Sequence, residues 1–175
     1  MAMLEFPNAR QAFNYDCGAA VLEALLTYYG LNAREDNLIK KAGTTRKGTS
    51  VKGMIRVIKS YGLKCEARKM SISEIKKFIA KKIPVILVLQ AWTQKRDVQW
   101  KTNWKDGHYV VAVGYNRKKI YFEDPASFKR TYLGFNELKQ RWHDIDDQGR
   151  KYINYGIAVS GLKPVYRSKA VEHMD

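Results

Sequence analysis

Gln11-Ala12-Phe13-Asn14-Tyr15-Asp16-Cys17-Gly18-Ala19-Ala20-Val21-Leu22 is the stretch that decides the fold. It puts a thiol where a helix begins and a side-chain amide six residues upstream. After Cys17 the apolar residues Ala20, Val21, Ala24, Leu25 and Tyr28 recur at helical spacing as far as Gly30, a residue suited to a helix end. Cys17 is therefore expected in the first helical turn, where unpaired N–H groups and the positive end of the helix dipole favour a thiolate over a thiol. That is the setting of a nucleophile, with the Gln11 amide as oxyanion donor. Asp16, a like-signed neighbour, is expected to turn back and cap the helix, away from the sulfur. Gly18 and Ala19 leave room for a substrate carbonyl. A cysteine taken alone would read as a buried structural residue, so a second site has to be found.

That second site is Asp106-Gly-His108-Tyr-Val-Val-Ala-Val-Gly-Tyr-Asn116, continuing through Ile120-Tyr-Phe-Glu-Asp124-Pro125. Tyr109 to Val113 and Ile120 to Phe122 are β-branched and aromatic runs around a turn-like Gly114 to Lys118, which predicts a β-hairpin. Centred on Asn116, the hairpin sets His108 directly opposite Asp124. Opposed residues have Cβ atoms about 4.5–5.5 Å apart, close enough for a carboxylate to hold an imidazole nitrogen. Asp106 is the rival partner if the strand begins early, but it adjoins a glycine and reads as loop. Cysteine, histidine and aspartate together form the pattern of nucleophilic catalysis with an oriented base.

On these residues the chain resembles the papain-like cysteine peptidases of the bacteriocin-leader-processing family, which remove double-glycine leader peptides. The matching residues are Gln11, Asp16-Cys17-Gly18, Gly48-Thr49-Ser50, Pro84-Val85-Ile86, Gly107-His108-Tyr109-Val110-Val111 and Asp124-Pro125, in the family's order. The resemblance implies Cys17 as nucleophile, His108 as general base and then acid, Asp124 as orienter, and Gln11 with the Cys17 N–H around the oxyanion. Members that process leaders during export are fused to a membrane exporter, and no such segment stands here. The double-glycine preference therefore does not carry over with the catalytic residues.

A chain of 175 residues with 45% hydrophobic content suits one domain spanning 1–175, with a loose tail over 163–175. Cys65, in a strand-like setting, reads as a passive thiol. Two cysteines give no disulfide framework, and three histidines without ligand spacing give no zinc site, so neither metal nor cofactor is expected. The longest apolar run, Ile83 to Leu89, is too short to span a bilayer, and no leader precedes Gln11, which reads as a soluble, cytoplasmic chain.

Beyond the cysteine helix, helices are expected over Glu35 to Ala42, over Val51 to Tyr61 behind a Thr49 or Ser50 cap, and over Ser73 to Lys81 capped by Ser73. Leu63 to Arg68 reads as an edge strand and Ile83 to Gln90 as the first buried strand. After the histidine hairpin come a helix near Asn136 to Trp142 and a last strand, Gly156 to Val159. Helices followed by an antiparallel sheet form an α+β class, the papain-like arrangement with the active site between the two halves.

Trp92, Trp100 and Trp104 fall in a polar insertion just before His108, where two readings stand: aromatic faces that grip a substrate chain, or rings that pack the loop down. Trp92, Trp104, Gly18 and Gly107 are the candidate substrate contacts. His143, beside Asp144, Asp146 and Asp147, reads as a surface residue.

Thirty-two Lys and Arg against 17 Asp and Glu give a net charge of +15. Fifteen basic and four acidic residues lie between Arg34 and Lys82, leaving +4 for the rest. Such a region either keeps the chain soluble or attracts an acidic partner. No nucleic-acid module signature is present, so nucleic acid is not the expected ligand. The sequence thus reads as a thiol hydrolase, a cysteine peptidase acting on a peptide or protein substrate. An amidase or deamidase with the same chemistry, and a catalytically idle basic binding domain, are the alternatives.

Overall fold

A computed structural model describes every residue except 172 and 175. In chain order the elements are β1 (Ala2–Met3), α1 (Cys17–Tyr28), α2 (Glu35–Ala42), α3 (Val51–Ser60), β2 (Lys64–Lys69), α4 (Ile72–Ala80) and β3 (Val85–Gln90). After a 3-10 turn at Trp100–Thr102 follow β4 (Gly107–Tyr115), β5 (Lys119–Glu123), β6 (Thr131–Gly134), α5 (Phe135–Arg141), β7 (His143–Ile145), β8 (Lys151–Ile153) and β9 (Tyr155–Ser160).

α1 is the centre of the helical half. Ala19, Ala20, Val21, Leu22, Leu25 and Leu26 are buried around most of its circumference, and only the stripe of Glu23 and Thr27 reaches solvent, as a helix largely enclosed by other elements requires. It packs against α2, α3 and β4. Ser50 caps α3 by accepting from the Gly53 N–H at 3.0 Å, one of the two caps foreseen. α4 starts earlier than expected and its cap is Ser71, not Ser73. Ser71 Oγ accepts from Glu74 N–H while Glu74 Oε2 accepts from Ser71 N–H, and that reciprocal box outweighs a lone serine two residues on.

The sheet is antiparallel, ordered β2-β9-β3-β4-β5-β6 with β1 beside β4. The last strand runs between β2 and β3, so the chain's final element closes the core, and β2 lies at the edge as its sequence indicated. β3 is buried at all six positions, Gln90 included. The hairpin register differs from the one centred on Asn116. Tyr115 pairs with Ile120 and Val111 with Glu123, with a bulge between Ala112 and Gly114. Asn116 Oδ1 accepts from both Lys118 and Lys119 N–H groups, which moves the turn onto the residues after it. Asp124 thus lies one residue past β5 rather than across from His108. The β6 strand and the β7–β8 ribbon were not foreseen; each is three or four residues long, too short to show an alternating pattern.

The segment expected to be loose from Lys163 is held at its start, because Val165 and Tyr166 N–H groups both donate to Tyr28 O. Its residues 172 and 175 lie outside those described.

α2 and α3 meet so closely at Gly53 that a Cβ there would stand 2.2 Å from Ala42 O. Gly53→Ala is expected to cost about 1–3 kcal/mol, the usual range for overpacking. Thermal unfolding should show a Tm lower by about 2–4 °C per kcal/mol; an unchanged Tm would mean that the two helices slide apart without cost.

Candidate active site

The loop before Cys17 is built on a carboxylate. Asp16 is fully buried, and its oxygens accept from Phe13 N–H at 3.0 and 3.1 Å and from Ala12 N–H at 3.2 Å. The expected cap of α1 is absent: Asp16 makes no side-chain bond to the helix. The carboxylate turns upstream instead, where the Ala12 and Phe13 amides have no strand or helix partner and take it as their acceptor. The loop is also tied to the hairpin, since Gln11 N–H donates to Pro125 O at 3.0 Å. Gln11 Nε2 donates one proton to Phe13 O at 2.7 Å and keeps a second.

Cys17 opens α1 and is 8% exposed. Its thiol interacts with the His108 imidazole, whose Nε2 lies 2.8 Å from Asp124 Oδ1. The three side chains therefore meet although the predicted register was wrong. Continuing the observed register puts Asp124 opposite Val110, and a diagonal neighbour two residues along the same strand face remains within side-chain reach. Asp106, the rival, is engaged elsewhere: its Oδ2 accepts from Asn103 Nδ2 at 2.6 Å.

Asp124 is held by more than histidine. Oδ1 also accepts from Ala126 N–H at 3.0 Å, and Oδ2 accepts from Trp92 Nε1–H at 3.0 Å and Thr131 Oγ1–H at 3.2 Å. Burial alone would raise this carboxyl; the hydrogen bond and charge of His108, with the Ala126 and Trp92 donors, leave it below the usual range. For His108 burial pulls downward, and the Asp124 and Cys17 partners overcome it, raising the imidazole to about 9.

A cleft of about 660 Å³ is lined by Gln11, Asn14, Trp92, Gly107 and His108. A hollow of about 180 Å³ lies among Thr49, Val51, Tyr109 and Asp144. The space at Gly18 is already filled, since a Cβ there would stand 2.8 Å from Thr49 Cβ, so this glycine admits Thr49 rather than a substrate carbonyl. At Gly107 a Cβ would stand 2.5 Å from Asp144 Oδ1. Trp104 stacks on His143 with ring centroids 4.4 Å apart, which makes it a packing residue. His143 is buried, with Nε2 2.7 Å from Asn103 O, and is not the surface residue its acidic neighbours suggested. Gln90 was missed. It is fully buried, donates to His143 O and Asp144 Oδ1, and accepts from Asp106 N–H, fixing the approach to His108. Its only signal was a polar residue closing an apolar strand.

The sequence profile of the Peptidase C39 family matches residues 5–145. An uncharacterized protein of Methanothermobacter thermautotrophicus is 36% identical over 116 residues, covering 66% of this chain and 69% of that protein. The pediocin PA-1 transport/processing ATP-binding protein PedD of Pediococcus acidilactici is 25% identical over 131 residues. Those residues are 74% of this chain and 16% of that protein, so the chain spans about a sixth of its length. Among solved structures, a C39-like peptidase from Bacillus anthracis superposes with a TM-score of 0.69 at 18% identity, covering 96% of this chain and 98% of that one. At that identity the likeness shows the fold, which is the papain-like α+β fold of C39 peptidases. Among the described residues no helix is long and apolar enough to cross a membrane.

A further carboxyl stands beside Asp16. Glu35, at the start of α2, meets the Asp16 carboxylate, and no donor faces its enclosed Oε1. Burial first, then the charges of Asp16 and Glu23 and the hydrogen bond to Asp16, push Glu35 up to about 7. Because this folded value exceeds the ordinary glutamate value, the associated stability is complete below the unfolded pKa and is lost as pH rises through about 7. Glu35→Gln, which still donates to Asp16 and does not ionise, is expected to raise Tm above wild type at pH 8 and to match it at pH 4. Equal Tm values at both pH values would separate Glu35 from Asp16.

Proposed function

The chain belongs to the Peptidase C39 family, a family of cysteine peptidases, and on that premise we propose that it cleaves a peptide bond in a peptide or protein chain through an acyl-thioenzyme. The observation that carries this reading is His108, bridged between the Cys17 thiol and the Asp124 carboxylate. The Cys17 proton rests on His108, and the sulfur attacks the scissile carbonyl carbon. As the C–S bond forms, negative charge moves to the carbonyl oxygen, where the Cys17 N–H and the free Gln11 Nε2 proton receive it. Collapse breaks the C–N bond while His108 gives its proton to the departing amine. Water then attacks the thioester, His108 takes a water proton, and the acid leaves as the thiol is restored.

Asp124 keeps the imidazole oriented and its charged form favoured, so the acid needed for the leaving amine is present at neutral pH. The basic Arg34 to Lys82 region forms α2, α3, β2 and α4, and its field guides an acidic substrate or partner toward the molecule. A cytoplasmic setting suits this reading, because both cysteines are free and a nucleophilic thiol is preserved in a reducing compartment.

With His108 held protonated up to about 9, kcat/KM is expected to fall on the alkaline side near that pH. A limb near the ordinary histidine value would show that Asp124 does not support the imidazolium. Gln11→Ala should slow acylation by about a hundredfold to a thousandfold, the cost of one oxyanion donor at about 2.7–4 kcal/mol. Alkylation of Cys17 by iodoacetamide should be unaffected, since that reaction develops no oxyanion. Full turnover by Gln11→Ala on an amide substrate with rate-limiting acylation would remove Gln11 from the mechanism.

A further inference from the structure

Trp92 stands two residues past β3 with its backbone at φ 59°, in the left-handed region that a bulky side chain seldom adopts. Such strain persists only where surrounding contacts impose it. The residue is 57% exposed, so burial is not the cause. The indole instead reaches one polar partner, Asp124 Oδ2, at 3.0 Å.

The two carboxylate oxygens of Asp124 are served differently. Oδ1 faces His108 Nε2 and the Ala126 N–H, while Oδ2 faces Trp92 and, at a longer 3.2 Å, the Thr131 hydroxyl. A carboxylate pivots about its Cβ–Cγ bond, and donors on Oδ2 therefore decide whether Oδ1 stays on the imidazole. Trp92 also lines two hollows, the cleft that contains His108 and a second of about 520 Å³ that contains Asp124, Leu89, Phe122 and Tyr132. Both sides of the His108–Asp124 contact are thus bordered by the same indole.

We propose that Trp92 is a positioning residue, whose indole N–H fixes the plane of the Asp124 carboxylate and so sustains the imidazolium–thiolate pair of His108 and Cys17. This rests on the peptidase reading and assigns Trp92 a task other than gripping substrate. A gripping role needs the ring face, which phenylalanine keeps; the positioning role needs the N–H, which phenylalanine lacks.

The test is the pH profile of Cys17 alkylation by iodoacetamide, followed by mass spectrometry, in wild type, Trp92→Phe, Asp124→Asn and the double variant. Cys65, whose thiol burial pushes up, serves as the internal reference. Trp92→Phe should move the acidic inflection of Cys17 upward by about half a pH unit to one, the roughly three- to tenfold effect of one hydrogen bond. Asp124→Asn should move it further in the same direction. In the Asp124→Asn background Trp92→Phe should add nothing, because the residue acts through that carboxylate. A Trp92→Phe profile that superposes on wild type, or a shift that adds in full to that of Asp124→Asn, overturns the proposal while leaving the peptidase reading intact. A wild-type Cys17 that alkylates no earlier than Cys65 overturns both. Circular dichroism of each variant confirms that the folded state is being compared.

Discussion

The site depends on the burial of one helix. α1 is enclosed on all but its Glu23–Thr27 stripe, with Leu22, Leu25 and Leu26 fully buried against the neighbouring helices and β4. Each such side chain contributes about 1.5–3 kcal/mol. Against a net stability of about 5–15 kcal/mol, a helix carrying several of them is not free to shift. Its first residue is Cys17, and the strand it packs against begins at Gly107 and carries His108. The meeting of thiol and imidazole is therefore a by-product of core packing, more rigid than a pair assembled from two loops.

The remaining members come from loops, and hydrogen bonds between those loops and the sheet make up for their lack of core contacts. Ala9 N–H donates to Glu123 Oε1, Gln11 N–H to Pro125 O, and Arg130 Nη2 to Phe6 O. The strap that carries Gln11 is thereby fastened to the hairpin end that carries Asp124. Gln11 and Asp124 share one support, and displacement of either segment is felt at both.

The helices were legible because their signals are local: apolar spacing from Cys17 to Tyr28, a Ser50 cap, and acidic first-turn and basic last-turn residues in α2. The cysteine, histidine and aspartate were legible as residue types in order. Their geometry was less so. The Asn116 side chain reset the turn and a bulge shifted the register, yet Asp124 reached His108 on the diagonal, so the right pair had been inferred from the wrong alignment. Asp16 was misassigned because a carboxylate before a helix has two sets of amides to choose from, and sequence does not say which set is buried. Trp92, Gln90 and His143 owe their roles to partners 32, 54 and 40 positions away, a separation at which no local pattern survives.

Charge and site are two aspects of one arrangement. The chain has nearly twice as many basic as acidic residues, but among the described residues the buried charged side chains other than histidine are all acidic: Asp16, Glu123 and Asp124. Each folds a segment of the site by accepting backbone N–H groups, from Ala12 and Phe13, from Ala9, and from Ala126 respectively. A carboxylate suits this task because it accepts several donors at once, whereas an ammonium or guanidinium accepts none and would compete for the carbonyls. Most lysines and arginines are left to the surface, where their stems cover apolar area and their charges stay in water, whereas Arg130 is partly enclosed between Phe6 O and the Glu123 carboxylate. The inward turn of these acids accounts both for part of the excess positive charge outside and for the carboxylate that raises the pKa of the His108 imidazole.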